Sequence, residues 1–132
     1  MLRRSVPVLL LLGGLAAMAA AQPGGGPRAL TDSTVIERRV ADLAERLELS
    51  PEQTASVRTI LYEQGAEARK AIDASGGDRE GMRRAVRQGA QEADRRIEAL
   101  LTDEQKEAYR VHREERRREM RQRFQEGERP RP

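Results

Sequence analysis

Apolar residues recur at helical spacing in four separate segments of the chain. Ile36, Val40, Leu43 and Leu47 form one stripe, which predicts a helix from about Thr34 to Leu47. Thr34-Val35-Ile36-Glu37 reads as a capping box at its start. Val57, Ile60, Leu61, Gln64, Ala68 and Ile72 predict a second helix over residues 51–74, roughly 36 Å long at about 1.5 Å per residue. It stops at Ser75-Gly76-Gly77, because glycine takes the left-handed conformation that ends helices. Asp78 then caps a third helix carrying Met82, Val86, Gly89, Ala93, Ile97 and Leu100. The fourth runs from about Asp103 to Phe124, with only Tyr109, Val111, Met120 and Phe124 as larger apolar groups. No segment reads convincingly as a strand.

Two of these helices open on the same pattern. Leu49-Ser50-Pro51-Glu52-Gln53 and Leu101-Thr102-Asp103-Glu104-Gln105 share Leu-[Ser/Thr]-x-Glu-Gln. The Ser50 and Thr102 hydroxyls can accept from helix N–H groups that otherwise lack partners. Gln53 and Gln105 stand where a side-chain amide can reach back to the cap backbone. Pro51 fits the first turn, where its missing N–H costs nothing. Each copy therefore ends one helix and starts the next, dividing the chain into two helix pairs joined at Gly76-Gly77.

Folding the second helix back on the third at that joint gives a testable register. Ile72 falls near Met82, Ala68 near Val86, Leu61 near Ala93 and Val57 near Ile97. Gly65 comes level with Gly89. A mid-helix glycine costs about 1 kcal/mol relative to alanine, so the pair suggests a close crossing or a shared bend there.

The ends have different compositions. Residues 1–21 combine a basic start at Arg3 and Arg4, an apolar stretch from Val6 to Met18, and Ala19-Ala20-Ala21 before Gln22. This is the pattern of a cleaved signal peptide for general secretion. The apolar run is short for a bilayer span and is interrupted by Pro7 and Gly13-Gly14. Residues 22–33 are expected to be a flexible leader rich in Pro and Gly, residues 34–124 a helical domain, and residues 125–132 a disordered charged tail.

Export changes the meaning of the charge. The chain has 25 Lys and Arg against 22 Asp and Glu, and removing Arg3 and Arg4 leaves a balance near neutrality. The exported protein is thus expected to sit in the periplasm and to bind no nucleic acid. With no Cys, it has no disulfide framework, no thiol chemistry and no lipoprotein anchor. With only two Tyr and one Phe it cannot build a large core alone, and association is one remedy for a small chain.

No catalytic residues and no cofactor are expected. The single histidine, His112, lies among arginines. With Met82 and Met120 it is all the mature chain offers a soft metal, and a site across a dimer would need carboxylates such as Glu115 or Glu119 to complete it. No His pair or Met-rich tract supports it. The acidic residues alternate with arginines at i,i+3 and i,i+4 spacing, as on solvated, salt-bridged helix faces.

The fourth helix departs from that balance. Seven arginines lie between Arg110 and Arg123, opposed by Glu114, Glu115 and Glu119 alone. One reading is a helix held by i,i+4 pairs. The other is a basic, partly apolar contact surface for unfolded or anionic polypeptide, with Arg113, Arg116, Arg117, Met120, Arg121 and Phe124 as candidate client-binding residues. An anionic membrane is a third partner, bound weakly because large apolar groups are few; no stable membrane insertion is expected once the signal is cleaved.

The paired motif, the signal and the helical layout together resemble the Spy/CpxP family of periplasmic chaperones and stress-response proteins, over about Thr34 to Phe124. Leu49, Ser50, Gln53, Leu101, Thr102 and Gln105 correspond to that family's LTxxQ-type motif positions and carry over as structural residues. The resemblance implies an all-α fold of four helices arranged as two pairs, with a long antiparallel hairpin in a thin, elongated layer. It implies an intertwined, curved homodimer. It also implies ATP-independent binding of unfolded or partly folded envelope proteins. The alternative is a stress- or metal-sensing regulatory partner of an envelope sensor, but the ligand-rich segments of metal-sensing relatives are missing here.

Overall fold

The computed structural model describes residues 27–127. The expected signal peptide, the start of the leader (22–26) and the last five residues of the tail lie outside them. A short 3-10 turn, Pro27–Thr31, leads into α1 (Ser33–Arg46), α2 (Pro51–Ala74), α3 (Arg79–Glu98) and α4 (Asp103–Gly127). The fold is all-α with four helices, and the described residues contain no strand.

The two ends of the domain differ from the sequence expectation. The leader is folded from Pro27 onward rather than flexible up to residue 33. Asp32, and not Thr34, caps α1, its carboxylate accepting from the Thr34 N–H at 2.8 Å. Glu37 is therefore not a capping-box residue; it pairs with Arg58 at 3.2 Å and accepts from the Tyr62 hydroxyl at 3.0 Å. At the other end α4 continues through Gln125, Glu126 and Gly127, since nothing in that run of good helix formers stops it before glycine.

Between the helices the local chemistry follows the predicted signals. Gly76 and Gly77 take φ of +52° and +97°, and the Asp78 carboxylate accepts from the Gly81 N–H at 2.9 Å to cap α3. The end of α1 carries no such glycine. There Glu48 takes φ +50°, its N–H bonding to the Glu45 carbonyl and that of Leu49 to Ala44. This is a Schellman closure made without glycine, at a cost of about 1 kcal/mol. It turns Leu49 onto the core.

The core lies at one end of the molecule. Ile36, Val40 and Leu43 of α1 meet Val57, Ile60 and Leu61 of α2, Ala93 and Ile97 of α3, and Tyr109 of α4. Leu47 and Leu101 close it at the corners. The α2–α3 hairpin follows the predicted antiparallel pairing, with Arg96 of α3 reaching back to Glu63 of α2. α1 has 14 residues and α2 has 24; at about 1.5 Å per residue, α1 covers little more than half of the hairpin. Ile72, Met82 and Val86, on the far arm, are accordingly only half-buried.

The two mid-helix glycines do not meet each other. A Cβ on Gly65 would stand 2.6 Å from the Leu30 carbonyl oxygen and 3.2 Å from the Ile36 side chain. A Cβ on Gly89 would meet nothing within 4 Å. Gly65 thus admits the 3-10 turn against α2, while the space beside Gly89 is open to a side chain. Gly65→Ala is expected to lower stability in urea melts by about 1–3 kcal/mol through overpacking. Gly89→Ala should raise it by up to about 1 kcal/mol through helix propensity. Equal effects at the two positions would contradict this assignment.

Candidate functional site

Both copies of the repeated motif form capping boxes. The Gln53 N–H donates to Ser50 Oγ at 3.1 Å, and the Ser50 N–H donates to Gln53 Oε1 at 3.0 Å. The Gln105 N–H donates to Thr102 Oγ1 at 3.3 Å, and the Thr102 N–H to Gln105 Oε1 at 3.0 Å. The fold then joins the two boxes. Gln53 Nε2 donates to Gln105 Oε1 at 2.8 Å, and Gln105 Nε2 donates to Gln53 Oε1 at 3.1 Å.

The remaining amide hydrogens cross between the helix pairs. Gln53 Nε2, at the start of α2, donates to the Leu100 carbonyl just after α3 at 2.9 Å. Gln105 Nε2, at the start of α4, donates to the Leu47 carbonyl at the end of α1 at 3.2 Å. Each amide thereby uses both of its hydrogens and accepts twice at its oxygen, its full capacity. Sequence spacing revealed the caps but not this clasp, because nothing local in either copy says that the two corners meet.

The first half of α4 is held against α1 and α3 by a polar cluster. Tyr109 is almost fully buried, and its hydroxyl donates to Asp94 Oδ1 at 2.6 Å. Burial first, and then this hydrogen bond, push the phenol well above its ordinary pKa. Arg113 pairs with Asp94 at 3.2 Å and Glu98 at 2.9 Å, its guanidinium 5.7 Å from the Tyr109 ring centroid. From the α1 side, Arg39 donates to Gln64 Oε1 at 3.3 Å while its Nε has no partner. Burial, and then the nearby Arg116, lower the Arg39 pKa.

This cluster changes the reading of two residues singled out in the sequence. Arg113, a candidate client contact, is half-buried and committed to two carboxylates of α3. His112 does not face outward with Glu115 and Glu119. It is buried, with Nε2 3.6 Å from Asp42 of α1 and Nδ1 unpartnered. Glu115 instead pairs with Arg46 at 3.2 Å. Among the described residues no group of three or more His, Cys, Asp or Glu side chains is placed to hold a metal ion.

The second half of α4 behaves differently. Every residue from Glu114 to Gly127 is exposed, Met120 by 57% and Phe124 by 73%. Upstream, Arg110 is paired with both Glu107 and Glu114. Downstream, Arg116, Arg117, Arg118, Arg121 and Arg123 make no ion pair among the described residues. The i,i+4 pairing expected from the sequence thus stops at the point where α4 leaves the core.

Two measurements follow from this geometry. Gln53→Ala and Gln105→Ala should each cost about 1–3 kcal/mol in urea melts, since each removes four hydrogen bonds at once, several of them part-buried. The double variant should lose less than the sum, because the two share the same bonds; strict additivity would contradict the clasp. The second measurement concerns His112, which faces Asp42 and Arg46 of α1 and Glu115 and Arg116 on its own helix. Burial holds its pKa below the ordinary value of about 6.5, and Asp42 offsets this only in part. The unfolded chain then binds the proton more tightly, so this contribution to stability is full above about pH 6.5 and is lost as pH falls below that value through the lower folded pKa. His112→Gln should melt with a shallower pH dependence between about pH 5 and 7 than the parent chain. A steeper dependence would reverse the sign assigned here.

No family model matches the sequence, and no curated protein or solved structure matches it either.

Proposed function

We propose that the chain is an exported, ATP-independent chaperone of the Spy/CpxP type, which holds unfolded or partly folded envelope proteins and slows their aggregation. The observation that carries this reading is the free end of α4. Arg116, Arg117, Arg121 and Arg123, none of them in an ion pair among the described residues, flank Met120 and Phe124 on an exposed length of helix. Unscreened charge speeds encounter with anionic stretches of an unfolded chain. Methionine, phenylalanine and arginine stems then supply adaptable short-range contact without a deep, specific pocket. Binding of this kind is weak and quickly reversed, so release requires no energy source.

The client surface in this reading comprises Arg116, Arg117, Met120, Arg121 and Phe124, with Arg113 removed because α3 already occupies it. The far arm of α2–α3 supports the dimer part of the proposal. Ile72, Met82 and Val86 remain half-covered in one chain, and a second copy would complete their burial. The signal in residues 1–21 supports a periplasmic location. Among the described residues no helix is long and apolar enough to cross a membrane.

An aggregation assay with a chemically unfolded client tests the proposal. Light scattering should fall at several-fold molar excess of the protein, and less so for the combined Arg116→Gln, Arg117→Gln and Arg121→Gln variant. Protection should weaken as salt shortens the Debye length from about 10 Å at 0.1 M to about 3 Å at 1 M. No suppression at that excess would refute the chaperone reading.

A further inference from the structure

The free end of α4 has an arrangement of charge that its composition does not disclose. Successive residues step by about 100° around a helix. On that rule Met120 and Phe124 continue the line of Tyr109 and Arg113, the face by which α4 packs on α3. Arg116 and Arg123 border this line on one side, and Arg117 and Arg121 on the other. Glu119 and Glu126 lie farther round, beyond Arg116 and Arg123, and Arg118 lies opposite the stripe with Gln122 and Gln125. The stripe is uncovered, since every side chain here is exposed, and its bordering arginines have no carboxylate partner.

From this arrangement we infer that the end of α4 is an interfacial helix that seats the protein reversibly on an anionic phospholipid surface. A bilayer offers a plane of phosphates, and a guanidinium fork matches phosphate geometry. Four arginines in two rows can reach that plane together, their stems lying alongside Met120 and Phe124 as these enter the interface. An extended acidic segment of a client engages the stripe more weakly than a bilayer does. A lone convex helix gives it no groove, and it would follow one row of arginines at a time. Two large apolar groups are too few to bind lipid without charge, so attachment depends on anionic headgroups and on salt. The inference stands independently of client binding, because the vesicle measurement contains no client and the aggregation assay contains no lipid.

Vesicle co-sedimentation decides it, with all variants of the full chain purified in the same processed form so that any N-terminal contribution cancels. The probes are vesicles of phosphatidylcholine alone and vesicles with about one-third phosphatidylglycerol. Partition should be at least about a hundredfold stronger on the anionic vesicles and fall steeply with added salt. Each of Arg116→Gln, Arg117→Gln, Arg121→Gln and Arg123→Gln should weaken it about fivefold. Phe124→Ser should cost a similar factor. None of these changes should shift the melting temperature appreciably, since the side chains lie outside the core. Phe124→Trp should show a blue-shifted emission on anionic vesicles only. Equal partition into neutral vesicles, or no loss in the arginine variants, would overturn the inference. So would binding to polyglutamate that anionic vesicles fail to compete away, which would assign the stripe to acidic polypeptides.

Discussion

Two side-chain amides hold the four helix ends of this protein at one level. Gln53 and Gln105 each cap their own helix, bond to each other, and take up a carbonyl at the end of a helix in the opposite pair. Without them the corners α1–α2 and α3–α4 would be joined by apolar contact and by the Arg46–Glu115 and His112–Asp42 pairs farther along α4. A carbonyl at a helix end has no partner within its own helix, and here that partner comes from the other half of the chain. The repeated motif thereby acts once within each copy and once between the copies. Its Leu, hydroxyl and Gln positions form one structural unit, and no catalytic chemistry needs to be assigned to them.

The clasp places the core next to itself and leaves the rest of the molecule thinly covered. α1 is too short to follow the α2–α3 hairpin to its tip, so Ile72, Met82 and Val86 lie at the margin. α4 is fastened by Tyr109, His112 and Arg113 and then leaves the body. A chain with three aromatic residues places one of them, Tyr109, at the centre of its core. It exposes another, Phe124, at the end of a bare arginine helix. That division separates the part of α4 that maintains the fold from the part available to partners.

Most of the fold was legible in the sequence because it depends on local signals. Helical periodicity, the Ser50, Thr102 and Asp78 caps and the Gly76-Gly77 break act within a few residues, and they gave α2 its observed bounds. The errors share a different cause. Asp32 captured the α1 cap from Thr34 because both are competent cap residues and only the entering chain path decides between them. Gly65 was rightly suspected of close packing, but its neighbour is the leader carbonyl of Leu30, 35 positions earlier in the chain, and not Gly89. His112 and Arg113 looked like members of a solvated arginine run until the crossing of α4 over α1 and α3 turned them inward. The part-buried pairings of Arg39 with Gln64 and of Tyr109 with Asp94 had no sequence signal at all, since each joins polar groups on separate helices.

The central claim is that residue 53 supports a corner about fifty positions away in sequence. Hydrogen exchange in a Gln53→Leu variant tests it most directly, because exchange reports local opening amide by amide. If the clasp joins the two corners, protection should fall at Thr102, Gln105 and Lys106 as well as at Ser50, Gln53 and Thr54, while the middle of the α2–α3 hairpin keeps its protection. Loss confined to the Ser50 corner would contradict the account and reduce the paired motif to two independent caps.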